Sequence, residues 1–332
     1  MKTIFFAILA LVGSAVPASA IAVSTPSNGA QLASPFKLIA GTDTCGSQPA
    51  VSMGYSLDYG TTTIEPTSFS AMVIAGYGQH TLHVKCWGAN GAADVSDLNV
   101  NIVPVTSEPT AAIAVANNIQ SMPGWVWNND PGTSGDSSGW SGMVNAPSLS
   151  GSARQYYVAF SNSGGQIFHT TFGADPNATH FVYDAEVWIT NPTAVANVEM
   201  DINQVLANGN TVIYGVQCDG YSGTWDYTIN TGTPASPVDA WAHTNASCPR
   251  PSTWAANTWH RIQIAYSRDN AGNVTYESAI LDGVQSDFEG ATGNSAFTLG
   301  WASTLLTNLQ IDGLGNSGAT NVYIDNMTVY RW

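Results

Sequence analysis

Charge is scarce in this chain. Only 9% of its 332 residues are charged, and lysine ends at Lys85; beyond it the only cationic residues are Arg154, Arg250, Arg261, Arg268 and Arg331. Nucleic acid needs a basic footprint to displace its counterions, so nucleic acid is excluded as a partner. Anionic polysaccharides such as alginate and pectin are disfavoured for the same electrostatic reason. Cysteine is sparse too, and the four present form no C-x-x-C pair of the kind that frames zinc. The one marked apolar run, Ile4 to Val12, is too short to cross a bilayer, so no membrane insertion is expected. No amphipathic helical pattern exceeds two turns, and no repeat runs at solenoid or propeller period. Phosphate loops, nucleophile elbows, haem motifs and EF-hand loops are all missing.

What is present points outward from the cell. Lys2, the apolar run and Ala18-Ser19-Ala20 make a secretory signal peptide over residues 1–20, so the protein is expected to be secreted or extracellular. Cleavage there removes Lys2 and no acid, which takes the formal charge from −15 to one unit more negative. An even number of cysteines suits an oxidising compartment. Cys45 with Cys86 and Cys218 with Cys248 is the simplest of three pairings, because each pair stays within one region. The surface must then be built from Gly, Ser, Thr, Asn and Gln, and 11 tryptophans remain to be placed. Neutral ligands fit this composition. Indole and phenol rings can stack on the apolar faces of neutral sugars.

Short β-like runs fill residues 21–104: Ile21 to Ser24, Phe36 to Ala40, Val51 to Leu57, Ala71 to Ile74, His80 to Trp87 and Leu98 to Val103. Leu82, Val84 and Cys86 share one strand face, and Asn90-Gly91 suits a tight turn. His80 and His83 fall on opposite faces, which is poor geometry for a shared metal. The row Gly78-Gln79-His80-Thr81-Leu82-His83-Val84-Lys85-Cys86-Trp87, followed by Asn90-Gly91, resembles the penultimate strand and turn of bacterial immunoglobulin-like domains. That resemblance covers about 80 residues, implies a small sandwich and says little about function. Residues 105–118, with Ser107, Glu108, Pro109 and an alanine-rich stretch, read as a linker.

Residues 119–332 suffice for one large β-sandwich. Strands are expected at Gln155 to Phe160, Gln166 to Phe172, His180 to Ile189, Asn197 to Leu206, Thr211 to Cys218 and Thr224 to Ile229. Further strands are expected at Trp259 to Arg268, Asn273 to Leu281, Phe297 to Ala302, Thr307 to Asp312 and Asn321 to Trp332. Asn208-Gly209-Asn210 and Asp269 to Gly272 read as hairpin turns. Many antiparallel strands between such turns suggest a jelly roll. Thr258-Trp259-His260-Arg261-Ile262-Gln263-Ile264, then Asp269, Gly272 and Leu281-Asp282-Gly283, resemble concanavalin-A-like lectin and glucanase sandwiches. The closing Val322 to Val329 looks like their last strand. The expected fold class is therefore all-β: an immunoglobulin-like sandwich followed by a concanavalin-A-like jelly-roll sandwich.

Val198-Glu199-Met200-Asp201-Ile202-Asn203-Gln204-Val205 alternates apolar and polar residues, so it reads as a strand presenting Glu199, Asp201 and Asn203 on one face. Two carboxylates this close resist joint ionisation. Within the resembled superfamily, retaining β-glucanases carry Glu-x-Asp-x-Glu or Glu-x-Asp-x-x-Glu on one strand. The resemblance maps the nucleophile to Glu199 and the tuning aspartate to Asp201. The acid/base position falls on Asn203, or on Gln204 if a bulge turns that residue to the same face. Both are amides, which cannot exchange the proton that glycoside hydrolysis needs.

Asp184, Glu186 and Trp188 share a face of the preceding strand, and Asp226 and Glu277 are further acids that a relocated enzyme site would draw on. A lyase would need a base such as Tyr214, His243 or His260. Trp125, Trp127, Trp188, Tyr214, Trp225 and Trp241 are the aromatic candidates for stacking on sugar. The segment from Cys218 to Cys248 reads as a long, disulfide-pinned loop, a second candidate binding element. Four glycosylation sequons occur, as chance predicts in an Asn- and Thr-rich chain. No cofactor is required, although acid- and amide-rich turns such as Asn128-Asn129-Asp130 suit structural calcium. The expected function is binding of a neutral polysaccharide in a cleft lined by Glu199, Asp201, Asn203, Gln204, Glu186 and aromatics. A β-glucanase-like hydrolase in that cleft and a non-catalytic adhesion or cell-surface module are the alternatives.

Overall fold

The computed structural model describes residues 21–103 and 113–332. The expected signal peptide and most of the expected linker lie outside the described residues. The fold is an all-β sandwich architecture of four sheets, and no described strand of residues 22–102 pairs with one of residues 114–331.

In the first part, Ala22–Thr25, Phe36–Gly41 and Ser68–Val73 form a three-stranded sheet. It packs on a six-stranded sheet centred on Gly78–Gly88, which lies between Ala93–Ile102 and Gln48–Leu57. Alternation does what it should: Leu82, Val84 and Cys86 enter the core while His83 and Lys85 face outward. Asn90 and Gly91 take left-handed conformations (φ 59° and 77°) at the turn into the last strand. His80 and His83 each meet a carboxylate, Asp58 at 2.7 Å and Asp97 at 2.6 Å. A disulfide joins Cys45 to Cys86.

Two eight-stranded antiparallel sheets make the larger part. In spatial order, one runs Asp136–Val144, Ala153–Ser161, Ser317–Arg331, His180–Ile189, Trp259–Arg268, Asn273–Leu281 and Val284–Asn294. We call it the aromatic sheet. The other runs Val126–Asn129, Gly165–Gly173, Leu305–Gly313, Val195–Val205, Thr211–Cys218, Thr224–Asn230 and Asp239–Ser247. We call it the carboxylate sheet. Their facing sides bury Phe168, Phe181, Tyr183, Met200, Ile202, Tyr214, Tyr266 and Leu309 in one core. Large apolar area of this kind supplies most of the drive to fold.

Several expectations are corrected. Ala114–Ala116, inside the expected linker, is a strand paired with the Ser317–Arg331 strand. The segment between Cys218 and Cys248 is a hairpin of two paired strands rather than a loop, although the expected disulfide does close it. Phe297 to Ala302 shrinks to Ala296–Phe297, because Thr298 turns away to bond the Pro234 carbonyl. Asp136–Val144 and Val284–Asn294 are rich in Gly, Ser and Asn, so their hydrophobic signal was too weak to announce a strand.

The two parts touch. Met72 and Ile74 pack with Val182, Ala265, Ile280 and Tyr330 on the outer side of the aromatic sheet. Around this patch the Ser34 hydroxyl donates to Gln263 at 2.9 Å, and the Tyr77 amide donates to the Gly283 carbonyl at 2.8 Å. The first part thus covers one end of that outer side and leaves the other end open.

Candidate functional site

The Val195–Val205 strand lies in the middle of the carboxylate sheet. Val198, Met200 and Ile202 enter the core, so Asn197, Glu199, Asp201 and Asn203 face the other way. Register then assembles the rest of this outer face. Asp312, Gln310 and Asn308 stand beside Asn197, Glu199 and Asp201 on one side. Gln217 and Gly215 stand beside Glu199 and Asp201 on the other, and Asp226 lies beyond Gln217. Gly215 is needed there: a Cβ would sit 2.8 Å from Asp201 Oδ1 and closer still to Thr228.

The Asp130 carboxylate leans over Gln310, which donates to it at 3.1 Å. Glu199 and Asp201 lie on the central strand of this outer face, which we refer to as the trough.

The bottom is electrostatically unusual. Burial, then the neighbouring Asp201 carboxylate, push Glu199 well above the ordinary range. Burial raises Asp201 to about 6, and burial with the Asp130 charge raises Asp312 to about 6. Two buried carboxyls this close resist joint ionisation. No lysine or arginine occurs on any strand of this sheet. Asp201 is 3% exposed and Asn203 6%, so the bottom is closed to solvent. His169, Trp241 and Gln310 are half-buried on the same face above it.

Only some of the expected site residues meet here. Glu199, Asp201 and Asn203 share the trough, and Asp226 joins them. Gln204 does not: the strand runs in regular register from Glu199 to Val205, so no bulge turns it, and Gln204 lies in the core. There it accepts from the Tyr214 hydroxyl at 2.6 Å and Arg268 Nε at 2.8 Å, and it donates to the carbonyls of Asp175 and Ala178. Tyr214 and Trp225 are core residues, because their strands turn those positions inward. Trp125 is also interior, edge-on to Tyr156 and beneath the Arg154 guanidinium, with nothing to present to a ligand. Trp127 is exposed but pairs in register with Phe168, which puts it on the opposite side of the sheet from Glu199. Glu186 and Trp188 belong to the outer side of the aromatic sheet, a full sandwich away. Asp184 is on that side too, bound by Arg261 at 2.7 Å, and Glu277 lies near the junction between the two parts, in a small cavity shared with Tyr55 and Thr63. His260 is a strand residue held by Asp282 at 2.7 Å.

The aromatic sheet carries a feature that sequence reasoning missed. Trp140 is opposite Tyr157, Tyr323 lies diagonally beyond, Trp188 is opposite Tyr323, and Trp259 is opposite Trp188. Residues opposite in register share a face, so five aromatic side chains form a band across five adjacent strands. The band spans about 19 Å between its end strands. Trp140 and Tyr157 stack at 6.1 Å, and Trp188 meets Trp259 edge-on at 5.5 Å. All five are half-buried or exposed. Alternation within Gln155 to Phe160 and Asn321 to Trp332 held the signal, but strand order was needed to line the rings up.

Among the described residues one group has the spacing for a metal: Asp219, Asp226 and His243 offer ligand atoms that all lie within 4.8 Å of one another. Its needs are met internally. Asp219 accepts two backbone amides, and His243 pairs with Asp226 at 2.7 Å.

No family model matches the chain, and no curated protein matches it. Among solved structures it is similar to one that addresses the promiscuous specificity of carbohydrate-binding modules of the β-sandwich superfamily. That match has 7% identity and a TM-score of 0.35, over 92% of this chain and 95% of the other. It is also similar to a family 11 carbohydrate-binding module from Clostridium thermocellum in complex with a β-1,3-1,4-mixed-linked tetrasaccharide, with 11% identity and a TM-score of 0.30, over 66% and 96% of the two chains. A third is an alginate lyase mutant in complex with an alginate trisaccharide, with 14% identity and a TM-score of 0.34, over 59% and 87%. Scores this low carry no weight for function, which must rest on the residues themselves.

Proposed function

We propose that this is a secreted carbohydrate-binding protein that takes a neutral polysaccharide on the aromatic band. The reading comprises a signal peptide over residues 1–20, an immunoglobulin-like domain over 21–104, a short linker and a concanavalin-A-like jelly roll over the remainder. The band is the observation that carries it. Trp140, Tyr157, Tyr323, Trp188 and Trp259 offer ring faces and edges in a line long enough for several sugar rings. Exposed apolar patches of this kind on a protein with a polar surface mark interaction sites. The charge pattern supports a neutral partner, since Arg261 beside the band is already paired with Asp184. Two disulfides suit an extracellular setting.

Retention on insoluble β-glucans, xylans and mannans tests the reading. We expect retention on at least one, none on alginate, and a loss of at least about tenfold in Trp188→Ala and in Trp259→Ala. Unchanged retention in a Trp140→Ala, Trp188→Ala, Trp259→Ala triple variant would refute the band.

A second reading places a glycoside hydrolase in the trough. Asp312 favours it: it is a carboxyl on the same face as Glu199, one strand away, where Asn203 supplies none. Reducing-end release that requires both Glu199 and Asp312 would establish this reading in place of binding alone. Neither release nor retention would leave an adhesion or cell-surface module.

A further inference from the structure

Glu186 stands beside the aromatic band with nothing to hold it. It lies two places before Trp188 on the same strand, so both side chains face the outer side of the sheet. Its neighbours across the sheet are Arg261 and Asp325, each two places along its strand from a ring of the band, Trp259 and Tyr323. Two places along a strand are about 7 Å, so three rings flank the carboxyl.

The groups that could pair with Glu186 are engaged elsewhere. Arg261 gives Nε and Nη2 to Asp184, at 3.0 and 2.7 Å. Gln263 donates to the same carboxylate at 3.1 Å. His260 lies on the other face of its strand and is held by Asp282 at 2.7 Å. Asp325 accepts the hydroxyls of Ser148 and Ser150 and the amides of Leu149 and Ser150. Among the described residues, Glu186 is left with no hydrogen bond and no ion pair. It is half-buried, and its oxygens are not sealed from solvent.

A carboxyl partly withdrawn from water without a partner costs stability. Burial raises it to about 7; Arg261 offsets part of this, and the charges of Asp184, Asp282 and Asp325 add to it. No contact in the fold offsets that cost, which points to a partner outside the chain. A lone carboxyl offers too few oxygens for a metal ion. An anionic sugar would meet Glu186, Asp184 and Asp325 as like charges. A neutral sugar stacked on Trp188 turns its edge, and the hydroxyls on it, toward the carboxyl. A carboxylate can accept from two of them at once. An apolar surface with a few placed polar groups is how such sites fix a ligand's orientation.

We propose that Glu186 anchors the ligand on the band: its carboxylate accepts hydrogen bonds from two neighbouring free hydroxyls of the sugar unit that stacks on Trp188. The ligand class narrows to polymers whose units keep two adjacent hydroxyls unsubstituted. The inference rests on the band as the binding surface. Hydroxyl donors favour the ionised carboxyl over the protonated one, which keeps a site for its own proton. Binding should therefore strengthen as pH rises through 7.

The test is retention of the whole protein on insoluble β-glucan, xylan and mannan at pH 5.5 and pH 8, for the parent, Glu186→Gln, Glu186→Ala and Trp188→Ala. The polymer that retains the parent should hold it at least about threefold more tightly at pH 8 than at pH 5.5. Glu186→Ala should weaken retention at pH 8 at least about tenfold. Glu186→Gln should fall between the two and respond to pH no longer, because an amide does not titrate. Its Tm at pH 8 should be no lower than the parent's, whereas a merely structural carboxylate would be missed. The proposal is overturned if the parent binds equally at the two pH values, if Glu186→Ala matches the parent at pH 8, or if the pH response survives in Glu186→Gln. Any of these with retention still lost in Trp188→Ala leaves the band standing and removes Glu186 from it. A parent retained on none of the three polymers overturns the band and this inference together.

Discussion

Replacing Gln204 by leucine separates a structural role from a ligand-binding one. The volume changes little, so the effect is one of hydrogen bonding rather than of packing. Four partners lose their bond: the Tyr214 hydroxyl, Arg268 Nε and the carbonyls of Asp175 and Ala178. Arg268 keeps bonds to the carbonyls of Asp269 and Pro176. The penalty falls on the Tyr214 hydroxyl, on Nε of a buried guanidinium and, less heavily, on the two carbonyls that lose the Gln204 donor. At about 1–3 kcal/mol for a neutral group, and more for a charged one, the total is about 3–5 kcal/mol. That is a large share of the stability of an ordinary domain. In urea it corresponds to a midpoint lowered by roughly 1–2 M. Tyr214→Phe is the milder companion. It leaves Gln204 its bond from Arg268 and should cost about 1 kcal/mol. The readout is equilibrium unfolding by tryptophan fluorescence, with retention on polysaccharide measured on the same samples. A Gln204→Leu protein as stable as the parent, or one that loses retention at unchanged stability, would refute the core role.

Three further outcomes are expected. Replacing Cys218 and Cys248 together by serine opens a loop with a sequence separation of 30 and should cost about 3–4 kcal/mol in denaturant unfolding. Gly215→Ala places a methyl against Thr228 and Asp201 and should cost about 1–3 kcal/mol, seen as a lower Tm with the fold retained by circular dichroism. Stability should fall from pH 5 to pH 8. Burial raises Glu65, Glu186 and Glu277 to about 7, and Asp201 and Asp312 to about 6. The folded chain thus holds these protons more tightly than the unfolded one. Their stabilisation is complete below the ordinary carboxylate range and is lost as pH rises through 6 to 7. Asp219, Asp269 and Asp325 act oppositely, since hydrogen bonds outweigh burial and lower them, so a second loss should appear below about pH 4. A Tm that rises steadily from pH 5 to pH 8 would contradict the burial of the first group.

Much of this was legible in the chain. Alternation marked most strands, Asn90-Gly91 and Asn208-Gly209-Asn210 marked turns, and proximity in sequence gave the right cysteine pairs. Alternation also put Glu199, Asp201 and Asn203 on one face, and it set Gln204 on the other, with Met200 and Ile202, unless a bulge intervened. Composition limited the ligand by charge before any fold was known. These are local properties: the two-residue period of a strand and the backbone demands of a turn are written into neighbouring residues.

Tertiary structure decided what lay between distant strands. Trp125, Tyr214 and Trp225 could each have faced a ligand or the core, because a strand's pattern separates its two faces without saying which face another sheet will cover. Glu186 and Trp188 precede the Glu199 strand in sequence by little more than a turn, yet they belong to the opposite sheet. The trough and the aromatic band each draw on strands more than 100 residues apart, such as Val195–Val205 with Leu305–Gly313 and Asp136–Val144 with Ser317–Arg331. Sheet order is set by pairing between such remote segments, and that pairing alone gathered Glu199, Asp201 and Asp312 on one face and Trp140, Trp188 and Trp259 on the other.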